Sequence, residues 1–196
     1  MPVGPQFLEA GLGFGGSCFP KDVKALRAVA REAGLRMRVL DAVLESNEAQ
    51  PLEVFERLRH ELGSLAGRRV AVWGVSFKPG TSDIRETRAL PLVTALRGAG
   101  CQVVACDPVA ADDFAALAAD DVEATGDPLA SLDGADACVL HTAWPAFRSV
   151  PAAAFGERMR TALVVDARRF LDGAALRAAG VAYVALGDGS NGARSS

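Results

Sequence analysis

The sequence has few groups suited to metal binding and no long hydrophobic run. It contains two histidines and four cysteines in 196 residues; the histidines are far apart, and no two cysteines form a C-x-x-C pair. These spacings do not favour a zinc site. No apolar stretch reaches the roughly 20 residues that cross a bilayer, and the first residues lack the charged and apolar regions of a signal peptide. The sequence therefore predicts a cytoplasmic protein without a metal and without a membrane partner.

An excess of positive charge is also missing. The 21 Lys and Arg residues are outnumbered by 24 Asp and Glu residues, which gives a formal net charge of −3. A nucleic-acid partner is therefore not predicted, because binding to phosphate backbones depends on clustered cations. Half of the residues are hydrophobic, and the length suits one ordinary domain with some additional structure.

Glycine and one cysteine are concentrated near the start of the chain. Residues 11–22 read GLGFGGSCFPKD, with four glycines before Cys18. Glycine tolerates positive φ and close backbone approach, which predicts a loop that faces a ligand. Pro20 suits the first position of a helix, so Cys18 is expected just before a helix N-terminus and within reach of Lys21. Both features favour the nucleophilic thiolate, and Asp22 is placed to handle a proton.

The same residues allow other interpretations. A single cysteine is more often a small buried hydrophobic residue than a nucleophile, although the surrounding glycines, proline and charges favour the nucleophile. Gly11, Gly13 and Gly16 match G-x-G-x-x-G, but a dinucleotide fingerprint requires a preceding strand and a helix directly after the third glycine. We reject that interpretation because residues 1–10 show no convincing strand. Three further cysteines are predicted to be core thiols: Cys101, Cys106 and Cys138.

The first third of the chain is predicted to be helical. A first helix is expected over residues 21–33 and a long amphipathic helix over residues 38–62, with Pro51 either kinking or dividing it. The apolar stripe of the long helix is neutral between two roles, bridging domains or packing on a partner chain, and lying over a sheet. The first role is favoured, and a resemblance of the chain to a known family supplies much of that preference.

From Arg69 onward, strands and helices alternate. The run Val70–Val75 is continuously apolar, which is typical of a parallel strand buried on both faces. The alternation predicts an α/β domain with a doubly wound, mostly parallel, Rossmann-like sheet. We therefore expect an active-site loop and helical segment in residues 1–64, the α/β domain in residues 65–187 and a disordered tail in residues 188–196. Later strands are expected near 102–105, 137–141, 163–166 and 182–186, with a short one near 122–124. Helices are expected near 87–98, 110–118, 151–159 and 173–179.

Ligands of open α/β sheets bind beyond the carboxyl ends of the strands. The polar loop after the first strand, residues 76–86, carries Lys78 and Arg85 as cations for phosphate or sugar oxygens. A solvated charged loop is the commoner alternative. Two later groups also follow strands: Trp144, for which a structural role is favoured, and Arg168, for which a surface position is equally expected.

Several of these stretches resemble one family. Residues 13–22, GFGGSCFPKD, resemble the active-site segment of the UDP-glucose/GDP-mannose dehydrogenase family. Residues 77–87, FKPGTSDIRET, resemble the family's second signature, in its UDP-binding domain. Asp107-Pro108 and residues 166–169, DARR, match two further features in family order.

The resemblance implies roles for individual residues. Cys18 would be the catalytic nucleophile, Lys21 would help to keep it ionised, and Asp22 would assist proton movement. The nucleotide-sugar substrate would be bound by Phe14, Gly15, Gly16, Lys78 and Arg168, and Arg85 would reach NAD bound in a neighbouring domain. The helix over residues 38–62 would carry a homodimer contact.

The implied activity is oxidation of a nucleotide-sugar C6 alcohol, most simply that of UDP-glucose, to a carboxylate in two NAD-dependent steps through a thiohemiacetal and a thioester on Cys18. Family members are about twice as long, and their N-terminal Rossmann domain binds NAD. The expectation is therefore a C-terminal part that is inactive alone and that a separate N-terminal half could complete. A non-catalytic nucleotide-sugar binding module or a remnant is the alternative.

Overall fold

A computed structural model of the chain describes residue 4 and residues 8–119 and 121–187. The predicted disordered tail, residues 188–196, lies outside the described residues. Two helices open the chain, α1 (Phe19–Glu32) and α2 (Arg38–Leu62). Helix α2 has the predicted bounds and is not divided at Pro51, which lies inside it.

Six parallel strands then alternate with helices. The strands are β1 (Arg69–Trp73), β2 (Gln102–Cys106), β3 (Glu123–Thr125), β4 (Ala137–Leu140), β5 (Leu163–Asp166) and β6 (Ala182–Ala185). The helices are α3 (Ala89–Gly98), α4 (Ala111–Ala118), α5 (Pro128–Ser131), α6 (Pro145–Arg148), α7 (Ala152–Arg158) and α8 (Gly173–Ala178). The spatial order is β3-β2-β1-β4-β5-β6, and every pairing is parallel. The predicted doubly wound α/β fold is confirmed.

Strand β1 lies at the centre of the sheet and is buried on both faces, as its apolar sequence predicts. Val70 and Val72 enter the core on one face, which includes α3. Trp73 enters the core on the opposite face, where its ring stacks on Phe147 at 4.7 Å between centroids. Cys101 and Cys106 lie in the cores of opposite faces, and Cys138 is also buried. The predicted core thiols are confirmed.

Helix α2 joins the core of the sheet through its second half, and Leu44 and Asn47 in its first half are also buried. Val54 and Leu58 are fully buried in the core that contains β1 and α3. In and just before the first half, Leu35 and Val39 are 67% and 80% exposed. The helix therefore packs on the α3 side of the sheet, as in the less favoured alternative, and it also leaves an apolar face uncovered.

Several element boundaries differ from the prediction. Strand β1 ends at Trp73, two residues early, because Gly74 turns with φ +78 directly against Thr142. Helix α3 begins at Ala89 because the hydroxyl of Thr87 donates to the carbonyl of Val75 at 2.7 Å and holds the preceding turn. The four-residue helices α5 and α6 were not predicted, since four residues are too few to show a helical period.

Candidate active site at the carboxyl edge of the sheet

The strand order predicts a ligand crevice at the carboxyl edge of the sheet, at the ends of β1 and β4. Strand β1 connects to β2 on one side, while β4 lies on its other side. Such a reversal leaves space between the two strand ends, and open α/β sheets bind ligands there. The loop over residues 74–88 follows β1, and the loop over residues 141–144 follows β4.

A buried polar network ties these two loops together. The Nδ1–H of His141 donates to the carbonyl of Gly74 at 2.7 Å, and the hydroxyl of Thr142 donates to the carbonyl of Ser76. Burial lowers the pKa of His141 to about 4, so the imidazole is neutral at physiological pH. The network therefore fixes the crevice walls without adding a charge.

The carboxylate of Asp107, directly after β2, accepts hydrogen bonds from the loops at the carboxyl edge of the sheet. One carboxylate oxygen accepts the backbone N–H groups of Val75 and Ser76 at 2.9 and 3.0 Å, together with the Ser76 hydroxyl at 2.8 Å. The same oxygen accepts the indole N–H of Trp144 at 3.1 Å. The other oxygen accepts two backbone N–H groups, those of residues 109 and 110. Asp107 and Trp144 therefore have structural roles, as favoured for Trp144.

Asp166, at the end of β5, is used in the same way. Its carboxylate accepts the backbone N–H groups of Arg168, Phe170 and Leu171 and the hydroxyl of Tyr183, at 2.8–2.9 Å. These bonds shape the turn in which Arg169 has φ +52. The turn directs the Arg168 side chain toward residues 11–18, where its guanidinium lies against Gly11.

The glycine segment, residues 11–18, packs on the loop that follows β1. The N–H of Gly16 donates to the carbonyl of Arg85 at 3.1 Å. A Cβ on Gly15 would collide with the carbonyl of Glu86, and one on Gly16, at φ +82, would lie 2.9 Å from the ring of Phe77. These two glycines are required because the backbones of the two signature stretches touch.

Cys18 is exposed at the end of this segment. It is the N-cap residue of α1, and its Sγ lies 3.6 Å from the Ser17 hydroxyl. The ammonium of Lys21 lies 3.4 Å from the carboxylate of Asp22, and both side chains are exposed. The structure thus places all three predicted catalytic residues at one exposed helix start.

Arg85 joins that group from the other signature. Its guanidinium is exposed and donates two hydrogen bonds to Asp83, at 2.9 and 2.8 Å. The hydrogen bonds and charge of Asp83 raise the pKa of Arg85, and the negative charge of ionised Cys18 acts in the same direction. Arg85 therefore lies in the electrostatic surroundings of Cys18.

The other two predicted cations, Lys78 and Arg168, both lie close to residues of the glycine segment or their contacts, and they differ in burial. Lys78 is exposed, and its Nζ lies 5.4 Å from the centroid of the Phe77 ring that contacts Gly16. Arg168 is half-buried, and burial lowers its pKa. Its buried Nε has no hydrogen-bond partner among residues 8–119 and 121–187. Arg168 is therefore not the surface cation that was one alternative.

Sequence reasoning missed three residues at this site: Asn47, Phe77 and Arg88. Asn47 is buried on α2 and bonds the backbone of Phe14, and Arg88 is buried and bonds the backbone of Asn47. The sequence did contain one indication of a role for Asn47, since an asparagine on the buried side of an amphipathic helix is unusual. It did not indicate that Phe14 is the partner, because the two residues are 33 positions apart in the sequence.

Two kinds of feature are absent from the part of the chain that the structure describes. No group of three or more His, Cys, Asp or Glu side chains in that part of the chain is arranged to hold a metal ion. No helix there is long and apolar enough to cross a membrane.

The G-x-G-x-x-G match is not a dinucleotide fingerprint in this structure. Residues 8–10 form no strand, and α1 begins at Phe19 instead of directly after Gly16. The described part of the chain has a single sheet, and its first strand, β1, comes more than 50 residues after these glycines. The earlier rejection of that interpretation therefore holds.

Comparison of the sequence with family profiles decides the classification. Residues 71–173 match the UDP binding domain of the UDP-glucose/GDP-mannose dehydrogenase family, and residues 1–49 match the family's central domain. The chain belongs to the UDP-glucose/GDP-mannose dehydrogenase family. The match to the family's UDP binding domain thus covers strands β1 to β5 but not β6, and the match to the central domain covers the glycine segment, α1 and the first half of α2.

Individual members of the family are similar over nearly the whole chain. UDP-glucose 6-dehydrogenase TuaD of Bacillus subtilis is 36% identical over 185 residues, which cover 94% of this chain and 40% of that protein. A UDP-glucose 6-dehydrogenase of Pseudomonas aeruginosa is 41% identical over 191 residues, covering 94% and 42%. The chain therefore spans about 40% of the length of these relatives.

The fold is also that of a solved family member. The structure of a UDP-glucose dehydrogenase from the archaeon Pyrobaculum islandicum superposes with a TM-score of 0.80 at 37% identity. The match covers 93% of this chain and 40% of that one. The helical segment and the α/β domain are thus both included in the superposition.

Proposed function

We propose that this chain is part of a nucleotide-sugar 6-dehydrogenase that oxidises the C6 alcohol of UDP-glucose to UDP-glucuronate, with Cys18 as the nucleophile. The single observation that carries the proposal is the docking of the Cys18 segment on the loop after β1. Gly16 bonds Arg85 there at 3.1 Å, so the segment that carries Cys18 contacts the second signature stretch, on the loop after β1.

The residues around the crevice suit a diphosphate linked to a sugar. Arg168 is half-buried with an unpaired Nε among the described residues, and a buried guanidinium gains from an anionic partner. Lys78 is an exposed cation on the loop after β1. Phe14, Gly15 and Gly16 would contact the substrate from the segment whose two glycines lie directly against Glu86 and Phe77 of that loop. Substrate specificity for UDP-glucose is supported by the names of the relatives.

Cys18 supplies covalent chemistry that an aldehyde needs for further oxidation. Its thiolate adds to the C6 carbonyl of the aldehyde and forms a C–S bond, which gives the alkoxide of a thiohemiacetal. After C6 is oxidised to the thioester, water cleaves the C–S bond, releases the carboxylate and returns the thiolate. Asp22, in the first turn of α1, is placed to accept the proton of that water.

NAD would accept the two hydrides that leave C6, the first from the alcohol and the second from the thiohemiacetal. The described residues could contact only one part of NAD. Arg85 is exposed beside Cys18, and its guanidinium is suited to a phosphate or ribose oxygen. The single sheet has no G-x-G-x-x-G after β1, so we assign Arg85 alone to NAD contact.

Binding and turnover test the proposal separately. Isothermal titration of the chain with UDP-glucose, UDP and GDP-mannose, with NAD titrated on its own, is expected to show binding of the UDP ligands. Incubation with UDP-glucose and NAD, with and without a family N-terminal half supplied as a separate chain, is expected to give acid only with that half. Cys18→Ser is expected to abolish acid formation while UDP binding is retained. Full acid production by Cys18→Ser would defeat the nucleophile assignment.

A second candidate is a nucleotide-sugar binding module without activity. It is favoured by the observation that the described residues carry a crevice with cations but only the edge of a dinucleotide site. Binding of UDP-glucose without any turnover, even when the N-terminal half is supplied, would select this candidate. Absence of binding to all three nucleotides would contradict both.

We also propose that the chain forms a homodimer through α2. The exposed apolar residues of α1, of α2 and of the turn between them support this. They include Leu26, Val29, Leu35, Val39 and Val43, which are 39% to 80% exposed. Such a concentration of uncovered apolar side chains is typical of a surface that contacts another protein.

A further inference from the structure

Asn47 connects the glycine segment to α2 through two hydrogen bonds. Its side-chain Oδ1 accepts the backbone N–H of Phe14 at 2.6 Å, and its Nδ2 donates to the backbone carbonyl of Phe14 at 3.1 Å. Asn47 is only 8% exposed. A carboxamide can satisfy both backbone groups of one residue at once, because it carries a donor and an acceptor side by side.

The backbone of Asn47 makes a third connection, to the loop after β1. In a continuous helix the carbonyl of residue 47 would accept the N–H of residue 51, but residue 51 is Pro51, which has no N–H. The freed carbonyl accepts instead from Nη2 of Arg88 at 2.9 Å. Arg88 is buried, so the proline inside α2 creates an acceptor that a buried guanidinium fills.

Gly13 completes the arrangement. It has φ +105, and a Cβ there would collide with the Asn47 carboxamide and lie 3.3 Å from the Asn47 backbone carbonyl. Only glycine combines this backbone conformation with so close an approach. The segment that carries Cys18 is therefore attached at two points, by Phe14 to α2 and by Gly16 to Arg85.

We propose that Asn47 is a positioning residue, whose carboxamide holds the backbone of Phe14 and thereby sets the place of the glycine segment against the loop after β1. It acts through the segment and does not touch the reacting atoms. The freed carbonyl of Asn47, bonded to Arg88, links the same helix position to the end of that loop. The assignment rests on the proposed function only in taking this segment as the substrate-contacting one.

Amide hydrogen exchange measures this attachment directly, without a substrate. In Asn47→Leu, which keeps side-chain size but removes both hydrogen bonds, peptides that cover residues 11–18 are expected to exchange about tenfold faster than in the unmodified chain. That factor corresponds to losing one or two net hydrogen bonds. Peptides from β1 and β4 are expected to keep their rates.

Val54→Ala is the matched control. Val54 lies on the same helix, is fully buried in the core and belongs to its second half. Its truncation is expected to lower the thermal midpoint without a selective effect on residues 11–18. If Asn47→Leu instead raises exchange to the same extent in α2, α3 and the segment, Asn47 only stabilises the helix and the proposal is wrong.

Asn47→Asp gives a readout that a purely structural role would not produce. A protonated carboxyl, like an amide, accepts from the N–H of Phe14 and donates to its carbonyl, whereas an ionised one presents only acceptors. Burial at this position raises the pKa of an introduced carboxyl above its ordinary range. The ratio of variant to unmodified exchange rates in the segment is therefore expected to fall toward one as the pH is lowered from 8 to about 4. A ratio that does not change with pH would overturn the carboxamide's assigned role.

Affinity for UDP-glucose is a separate measurement on the same variants. We expect Asn47→Leu to weaken binding about tenfold, while Val54→Ala leaves it within about twofold. If the unmodified chain binds no nucleotide, the proposed function fails while the exchange data still decide the positioning role. If Asn47→Leu speeds exchange but binds with unchanged affinity, the segment's position does not serve the substrate, and the proposal is contradicted.

Discussion

Two carboxylates of the α/β domain and three polar residues at the start of α1 have opposite surroundings. In residues 65–187 the carboxylates of Asp107 and Asp166 are buried and saturated by backbone donors and neighbouring side chains. In residues 8–64 the side chains of Cys18, Lys21 and Asp22 are exposed at the start of α1. The two buried carboxylates therefore hold the shape of the loops, whereas the polar side chains at the start of α1 are open to solvent.

The apolar residues differ in the same direction. Strand β1 has fully buried residues on both faces, whereas α2 buries its second half and leaves Val39 in its first half 80% exposed. The core around β1 is completed with help from the helical segment, since Val54 and Leu58 of α2 belong to it. An amphipathic helix with an uncovered apolar face depends on another surface.

The largest effect should come from removing a saturated carboxylate of the sheet. Asp107→Ala would leave four backbone N–H groups, the Ser76 hydroxyl and the Trp144 indole without this acceptor. Because buried donors without partners are costly, we expect a loss of about 4 kcal/mol or more in the free energy of unfolding. Urea denaturation followed by circular dichroism measures it.

Asp112→Ala is the control for that change. Asp112 is an exposed carboxylate in the first turn of α4, and its loss should cost no more than about 1 kcal/mol. Equal losses for the two variants would mean that the buried carboxylate is not the group that holds the loops.

A buried residue of α2 should rank second. Leu58 is fully buried, and Leu58→Ala should cost about 3 kcal/mol through lost apolar burial and a residual cavity. Leu52 on the same helix is 47% exposed, and Leu52→Ala should cost less than about 1 kcal/mol. Denaturation midpoints of the two variants would show whether the second half of α2 truly belongs to the core; similar midpoints would argue that it does not.

The third effect appears as a dependence on pH. Burial lowers the pKa of His141 to about 4, against 6.5 in the unfolded chain. Between these values the unfolded state binds more protons, so stability is complete above pH 6.5 and falls as the pH drops toward 4. From pH 7 to pH 5 the loss should be about 2 kcal/mol.

Substitution separates this histidine from the other. His141→Gln removes the titrating group and should flatten the dependence of unfolding free energy on pH between 5 and 7, whatever its effect at pH 7. His60 is exposed on α2, and His60→Gln should keep the unmodified slope. A steep slope that persists in His141→Gln would assign the acid sensitivity to another group.

The fold followed from the sequence because the buried strands are continuous apolar runs separated by helical periods. Strand β5, for example, has the predicted bounds, residues 163–166. Helices α5 and α6 were not predicted because a four-residue helix is too short to show a helical repeat of apolar residues. Each nevertheless starts with a proline after a polar or aromatic residue. The first of these had a readable signal: Asp127 accepts the N–H of Leu129 as an N-cap.

The sequence predicted only those parts of the candidate site that are continuous stretches of the chain. The glycine segment and the loop after β1 could be located because each is a local signature. The contact of Asn47 with Phe14 could not, since it requires the relative placement of α2 and a loop. The role of Pro51 was likewise hidden: the sequence indicates a missing N–H, but not that Arg88 fills the freed carbonyl.

The smallest effect on stability should come from the uncovered face of the helical segment, where it tests the dimer. Val39→Asp changes an exposed side chain, so the free energy of unfolding should stay within about 0.5 kcal/mol in dilute solution. If two copies pair through α2, a carboxylate placed in that apolar contact must be desolvated. Sedimentation velocity should then show a dimer for the unmodified chain and for Glu45→Ala, an exposed polar control on α2, and a monomer for Val39→Asp. If Val39→Asp is still a dimer, the two copies do not contact each other through this face of α2. If all three proteins are monomers, the proposed homodimer is wrong.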